Sequence, residues 1–313
     1  MKTVSSPSAA VSLALVFCAL LVPAPAAAQG NGHGNAFGHN KRPSTSAPAA
    51  AASSSSSSSG GSGTADAAIA PITEGSGIRN FGSWLDDASI MTPGSGFASF
   101  AAGYWRTAGF TELDVPAFDV GVGLTPRIQF GASVPVYHAR EPGGPVSRGI
   151  GDLFLHTKIQ LRDPAASRNR IGFALVPVVQ VLSVAPASGA SRLTWGLPAA
   201  VELQRDGWRV YGSAGYFSRG AVFGSGAIEI GVGKRTWVTG TISESRSIKD
   251  DAYSEALGLS STRRDISGGA AVLVSNAMSV FGNVGRTISA RDWNSATLFI
   301  TGGVAVNFNA WTR

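Results

Sequence analysis

Hydrophobic and polar side chains alternate along much of the chain, and residues 150–162 (IGDLFLHTKIQLR) show this pattern most clearly. Leu153, Leu155 and Ile159 fall on one side of the alternation, whereas Asp152 and Lys158 fall on the other. Strict alternation predicts a β-strand, because successive side chains leave opposite faces of the pleat. One face of this strand is therefore aliphatic and the other is charged.

Similar runs follow one another from residue 97 to the C-terminus. Twelve such runs are predicted, at residues 97–106, 115–124, 127–138, 150–162, 170–184, 192–204, 208–218, 221–232, 236–246, 264–275, 279–288 and 296–309. Each is close to the ~9–11 residues that a tilted strand needs to cross a bilayer. Most connections alternate between short and long, with the longest at 139–149 and 247–263. These features predict an all-β protein, an antiparallel transmembrane β-barrel of about 12 strands.

The N-terminal third has a different composition and predicts three further segments. Residues 1–28 combine Lys2, an apolar stretch and a small-residue cleavage site, which indicates a signal peptide. Residues 29–68 are rich in Gly, Ala and Ser and predict a disordered linker. Residues 69–96 are assigned as a periplasmic lead-in segment that caps or plugs the barrel mouth, and residues 97–313 as the barrel itself.

Composition excludes several classes of function. Hydrophobic residues make up 44% of the chain and charged residues only 14%, with 40 glycines, which suits tightly turning strands. No apolar run long enough for a membrane helix follows the signal peptide. The single cysteine, Cys18, lies inside that peptide, so neither disulfides nor cysteine metal sites are expected. The net charge of +6 is dispersed, which argues against a nucleic-acid partner, and we predict no cofactor or metal.

The polar faces of the predicted strands supply candidate functional residues. In a membrane barrel these faces turn toward the lumen, where opposite charges pair and select solutes. The candidate lumen-lining residues are Asp152, His156, Lys158, Arg162, Gln180, Glu202, Arg209, Glu229 and Arg286.

A catalytic role for the same residues would require a nucleophile, a base and an acid in contact. Asp152 and His156 are four residues apart on one strand, too far for direct contact at ~3.3 Å per residue. A nucleophile would have to come from a neighbouring strand, such as Ser133. We therefore do not expect an enzyme.

Several short motifs resemble a known family. Gly149, Gly151 and Asp152 open a strand of alternating aliphatics, and Pro177 lies in the middle of the next apolar strand. In these features, over residues 90–308, the chain resembles the Gram-negative outer-membrane proteins named for the meta-cleavage pathway of phenol degradation. The resemblance implies an outer-membrane barrel that passes or binds small, often apolar compounds, and it implies no catalytic residue.

The function predicted is passive transport of small molecules, apolar or aromatic ones included, across the outer membrane of a Gram-negative-type cell. The partners expected are the lipid bilayer, the outer-membrane assembly machinery and a small-molecule solute. The chain continues past Phe308 to Trp311, so either aromatic residue could serve as the assembly signal. Two alternatives remain open: a non-conducting structural or adhesive barrel, and a secreted soluble β-sandwich that binds glycans.

Overall fold

The computed structural model describes residues 85–140, 144, 146–182, 192–218, 220–248, 260–275, 277–289, 292 and 295–309. The predicted signal peptide and linker lie outside the described residues, as do residues 69–84 of the lead-in segment and Trp311. No helix in the described part of the chain is long and apolar enough to cross a membrane.

The described residues form fourteen strands in one sheet. The strands are β1 Ser95–Arg106, β2 Thr111–Thr125, β3 Ile128–Arg140, β4 Val146–Ile150, β5 Leu153–Arg162, β6 Ile171–Leu175, β7 Val178–Val181, β8 Leu193–Arg205, β9 Trp208–Phe217, β10 Ala221–Val232, β11 Thr236–Ser247, β12 Thr262–Leu273, β13 Met278–Ser289 and β14 Leu298–Asn309.

The sheet closes on itself as a twelve-position antiparallel barrel. Strands β4 and β5 both pair with β3. Strands β6 and β7 each pair with β5 on one side and with β8 on the other, so each couple occupies one position in the ring. The ring is completed by β1, which pairs with β14 along its whole length. The predicted fold class is therefore confirmed. Because β1 pairs with β14, no sheet edge runs open along the barrel, where lipid would leave backbone groups unsatisfied.

Alternation sets the orientation of each strand. In β5, the side chains of Phe154, His156 and Lys158 are buried inside the barrel, whereas the aliphatic residues between them face outward. The same outward placement holds for large hydrophobic residues on the other strands, including Phe130, Ile266 and Ile300, each 39–46% exposed. A polar interior and an apolar exterior are the arrangement of an outer-membrane barrel.

Two neighbouring ring positions are interrupted at the motif residues noted above. Gly151 and Asp152 separate β4 from β5, and the Gly151 N–H donates to the Pro135 carbonyl (2.8 Å). A Cβ at Gly151 would lie 2.6 Å from the Pro135 ring, so only glycine fits without a shift. Pro177 separates β6 from β7 because it has no N–H to donate, although its carbonyl still accepts from Thr157 (3.0 Å).

Phenylalanine rings fill the lumen by lying over glycines of neighbouring strands. The Phe217 ring covers Gly196, where a Cβ would lie 2.0 Å from the ring. Three further cross-strand couples repeat this arrangement: Phe97 over Gly121, Phe299 over Gly285 and Phe281 over Gly303. The glycines let bulky rings pack flat against the inner wall.

Aromatic residues near the strand ends lie on both faces of the barrel wall. Trp195 is 52% exposed on the outer face, as a girdle residue requires. Trp105 and Tyr137 are buried, and Trp237 also takes an inward position in its strand. Their parity in the strands, rather than their nearness to strand ends, decides which side they face.

Candidate functional site in the barrel lumen

The lumen brings together most of the predicted polar residues. The end of the barrel with the short β2–β3, β8–β9 and β10–β11 turns is taken as periplasmic. Seven of the nine candidates are buried inside the barrel: Asp152, His156, Lys158, Gln180, Glu202, Arg209 and Glu229.

The segment that precedes β1 lies inside the periplasmic half of the lumen. Every residue from 85 to 91 is buried, although none of them belongs to a strand. Its backbone is held by side chains of the wall: Gln129 accepts from Met91 N–H (2.9 Å), Gln160 donates to the Ala88 carbonyl (2.9 Å), and Ser213 accepts from Asp86 N–H (3.1 Å). We call residues 85–91 the lumen segment. It crosses from the β3 and β5 side of the barrel to β9.

Lys158 neutralises the two acidic residues of the lumen segment. Its Nζ lies 2.5 Å from an Asp86 carboxylate oxygen and 2.8 Å from one of Asp87, and it also donates to the Ser89 carbonyl (3.1 Å). The ammonium group is fully buried. Because a buried charge without a partner is costly, this network fixes the segment to β5.

Arg209 provides the second cation of the network. Its guanidinium donates to Asp87 (2.8 Å), to Glu229 (2.8 Å) and, more weakly, to Glu202 (3.5 Å), and it lies over the Tyr211 ring. Ser89 in turn donates to Glu202 (2.8 Å). The lumen segment therefore bonds directly to β8 and β9 as well as to β5, and Arg209 connects it to β10. A planar five-donor guanidinium suits this multiple pairing better than an ammonium group.

A separate polar group lies toward the extracellular side. Gln180 donates to the Asp152 carboxylate and accepts from Thr194 (3.0 Å), which links β5, β7 and β8. His156 lies over Gly131 of β3, where a Cβ would come within 2.3 Å of its Nε2. In the register of β3 and β5, Ser133 lies opposite Phe154, whereas His156 lies opposite Gly131.

Two candidate residues do not line the lumen. Arg162 is exposed at the periplasmic rim, where it donates to Asn169 of the following turn (2.6 Å). Arg286 shares the outer face of β13 with Val284 and Ile288, and its cross-strand partner Ile266 is 45% exposed. Arg286 therefore lies outside the lumen, contrary to the prediction. The alternation of Val280, Val284 and Ile288 places position 286 outside.

Sequence reasoning missed several residues of the network. Asp86, Asp87 and Ser89 lie in a stretch without periodicity, so nothing in the pattern assigns them to the lumen. Gln129 and Gln160 could have been found, because both occupy polar positions of alternating strands. Within the described ranges, no group of three or more His, Cys, Asp or Glu side chains is arranged to hold a metal ion.

The extracellular half contains an aromatic and charged layer on the inner wall. Trp105 stacks on Phe299 (5.1 Å between ring centroids, 12° between planes), and the Arg263 guanidinium lies 5.2 Å from the Trp105 ring. Arg263 donates to Asp265 (3.0 Å), which also accepts from Thr287 (2.7 Å). This layer continues the inner wall of β12, β13, β14 and β1.

The wall that faces the lumen segment, from β11 to β14, is less covered than the wall that holds it. Inward residues of β3, β5, β8, β9 and β10 are buried beneath the lumen segment or the phenylalanine rings. Along β11 to β14 buried inward side chains such as Thr239, Asp265 and Phe281 are interspersed with partly exposed ones. The partly exposed side chains are mostly small or polar and include Trp237, Thr241, Ser243, Ser267, Asn283 and Asn307. We call this set the open wall. The lumen segment is therefore attached to one side of the barrel.

Comparison with known proteins agrees with this architecture. An outer-membrane channel from Pseudomonas putida F1 is similar to this chain with a TM-score of 0.57 at 12% identity, over 71% of this chain and 98% of the channel. The NanC porin gives 0.48 at 9% identity, over 67% and 98%, and the CymD monoaromatic hydrocarbon channel gives 0.40 at 9%, over 76% and 97%. No family model and no curated protein matches the sequence. The similarity to the first channel shows the fold that the two share.

Proposed function

We propose that the protein is a channel for the passive passage of small solutes across the outer membrane. The observation that carries this proposal is the unequal covering of the lumen. The lumen segment is hydrogen-bonded to β3, β5, β8 and β9, whereas the open wall of β11 to β14 keeps partly exposed polar side chains. A solute path then runs between the segment and the open wall.

The apolar part of the lumen favours solutes that are not purely hydrophilic. Phe154, Phe217 and Phe223 form one buried cluster with Val178 and with Ala88 of the lumen segment. Phe217 and Phe223 stack at 5.1 Å. These rings are closed to solutes, but the partly exposed Trp237 of the open wall offers an aromatic surface beside polar side chains to a small molecule with an apolar or aromatic body. This supports the substrate class that the family resemblance implies.

We also propose membership of the phenol meta-pathway family. Its support comes from the motif residues, because Gly151 with Asp152 and Pro177 mark the two interrupted ring positions of the barrel. We further propose that residues 1–28 direct secretion, that residues 29–68 act as a tether, and that Phe308, 40% exposed on the outer face, serves the assembly machinery as the C-terminal aromatic signal. No enzymatic activity forms part of the proposal.

Liposome permeation by the refolded mature chain tests the channel. Folding is first verified by the different gel mobility of unheated and heated samples. We expect entry of small solutes above that of protein-free liposomes, and slower entry for Ser267→Phe, which places a ring on the open wall. Ile266→Phe is the matched control, because the neighbouring side chain faces outward.

The opposite result identifies the alternative. A folded barrel that admits no solute overturns the proposal and favours the non-conducting structural or adhesive barrel. Equal rates for the wild type and Ser267→Phe would show that solutes do not pass along the open wall.

A further inference from the structure

Charge is divided unequally between the inside and the outside of the barrel. The whole chain carries 25 basic and 19 acidic residues, a net charge of +6. Among the described residues, however, the buried acidic side chains outnumber the buried Lys and Arg side chains by eight to three. The acidic residues are Asp86, Asp87, Glu112, Asp114, Asp152, Glu202, Glu229 and Asp265, and the basic residues are Lys158, Arg209 and Arg263.

The excess is present in both halves of the lumen. In the periplasmic half, four carboxyl groups surround Lys158 and Arg209. In the extracellular half, the other four are Glu112, Asp114, Asp152 and Asp265, and Arg263, the buried Lys or Arg among the described residues of this half, pairs with Asp265. Eight carboxyl groups against three cations leave a net charge of −4, because the hydrogen bond between the side chains of Glu112 and Asp114 requires one proton on that pair. This net charge of the buried groups is opposite in sign to the net charge of the whole chain, which is +6.

We propose that the channel selects cationic solutes over anionic solutes of the same size, and that Glu112 and Asp114 set this selectivity in the extracellular half. The inference rests on the proposed channel function and names the charge class of its solutes. An acidic lumen with low-dielectric walls concentrates cations and repels anions. Rings of Asp and Glu side chains have this role in cation channels.

The environment of Glu112 and Asp114 supports their part in the selectivity. They lie two residues apart on the inner face of β2, opposite Trp105 and Gly103 of β1. The Asp114 Oδ1 atom is buried and has no hydrogen-bond partner. Arg263, the buried cation of this half, already donates to Asp265 (3.0 Å). The face of Trp105 is a further surface that attracts cations.

Four exposed or half-exposed arginines of the described strands lie where they do not reverse this sign. Arg106 and Arg140 end their strands and are exposed at the extracellular rim. Arg264 pairs with Glu244 (2.7 Å) on the outer face, which Arg286 shares. Charges in these positions are separated from the lumen by the barrel wall or by solvent, which screens them.

Reversal potentials across planar bilayers test the selectivity. The mature wild-type chain is placed in a KCl gradient at low ionic strength, and we expect a potassium permeability several-fold above that of chloride. The double variant Glu112→Gln/Asp114→Asn should lower this ratio at least twofold. Glu244→Gln, the matched control on the outer face, should leave it unchanged. The wild-type ratio should also fall at 1 M KCl, where the Debye length is about 3 Å.

Organic ions provide the second measurement. In liposomes, benzylammonium should enter several-fold faster than benzoate, since the two probes match in size and differ in charge. If the double variant does not give a heat-modifiable barrel, the single variant Asp114→Asn replaces it in both measurements.

Each other result overturns part of the inference. A wild-type potassium to chloride ratio at or below one disproves cation selectivity while the channel function stands. An unchanged ratio in both Asp114 variants disproves the role of the carboxyl pair. A folded barrel without any current overturns the channel function itself, and the selectivity with it.

Discussion

The ammonium group of Lys158 lies 2.5 Å from a carboxylate oxygen of Asp86, and both side chains are excluded from solvent. Lys158 belongs to the wall strand β5, whereas Asp86 belongs to the lumen segment before β1. Breaking a buried ion pair leaves a charge without its partner in a medium of low dielectric constant. The position of the lumen segment therefore depends on the charge of the wall.

Replacing Lys158 by Met should release the lumen segment. The change leaves Asp86 and Asp87 with Arg209 as the nearest buried cation. Loss of one partner from a buried pair costs about 3–5 kcal/mol, and the segment can avoid this cost by leaving the lumen. We expect higher single-channel conductance and faster proteolysis within residues 85–91, with little change in the thermal transition of the barrel.

Arg162→Gln is the control for this experiment. Arg162 lies on the same strand but is exposed at the rim and bonded to Asn169. The conductance of the Arg162→Gln variant should equal that of the wild type. If Lys158→Met had the same single-channel conductance and the same rate of proteolysis as the wild type, the proposed attachment of the lumen segment would be contradicted.

The barrel could be predicted from the sequence because alternation is a local property. Each strand shows which of its faces is apolar, as Leu155 and His156 do in β5, and the even number of runs predicts closure. The lumen segment could not be predicted in this way. Asp86 and Asp87 are placed by contacts with β5 and β9, which are distant in sequence. The sequence around Asp86 and Asp87 has no hydrophobic periodicity that would predict those contacts.

The glycine at position 131 should be required by the ring of His156. A Cβ at Gly131 would lie 2.3 Å from His156 Nε2, and the Val120 carbonyl lies 3.1 Å away on another side. Overpacking of this kind costs about 1–3 kcal/mol. We expect Gly131→Ala to lower the free energy of unfolding by that amount, measured by urea titration in vesicles.

A second substitution separates this clash from a general effect of alanine. Gly131→Ala/His156→Ala should lose less stability than the sum of the two single variants, because the clashing ring is absent. Gly240→Ala is the matched control, since its Cβ would meet only Ile228, at 3.9 Å. Strict additivity of the two substitutions would show that His156 does not restrict position 131.

Phe217 should contribute more to stability than a phenylalanine on the outer face. It is fully buried, stacks on Phe223 at 5.1 Å and covers Gly196. Truncation of a buried phenylalanine to alanine costs about 3–5 kcal/mol. We expect Phe217→Ala to shift the urea midpoint strongly and Phe173→Ala, 42% exposed on the outer face, to shift it less. Equal shifts would mean that the inner cluster is not a packed core.

Arginine substitutions at two adjacent positions of β12 should have opposite effects on folding and transport. Ile266 faces outward near the middle of the strand, whereas Ser267 faces the lumen and bonds to Thr241. Arginine near the middle of a lipid-facing surface costs about 2–4 kcal/mol, whereas a lumen position can hydrate the charge. Ile266→Arg should therefore lower the free energy of unfolding in vesicles and leave the conductance of the folded fraction near wild type. Ser267→Arg should fold with nearly wild-type stability but reduce conductance, because the long side chain projects from the open wall into the solute path. If both variants lost stability equally, the side chain of Ser267 would not face a hydrated lumen, and the path along the open wall would be wrong.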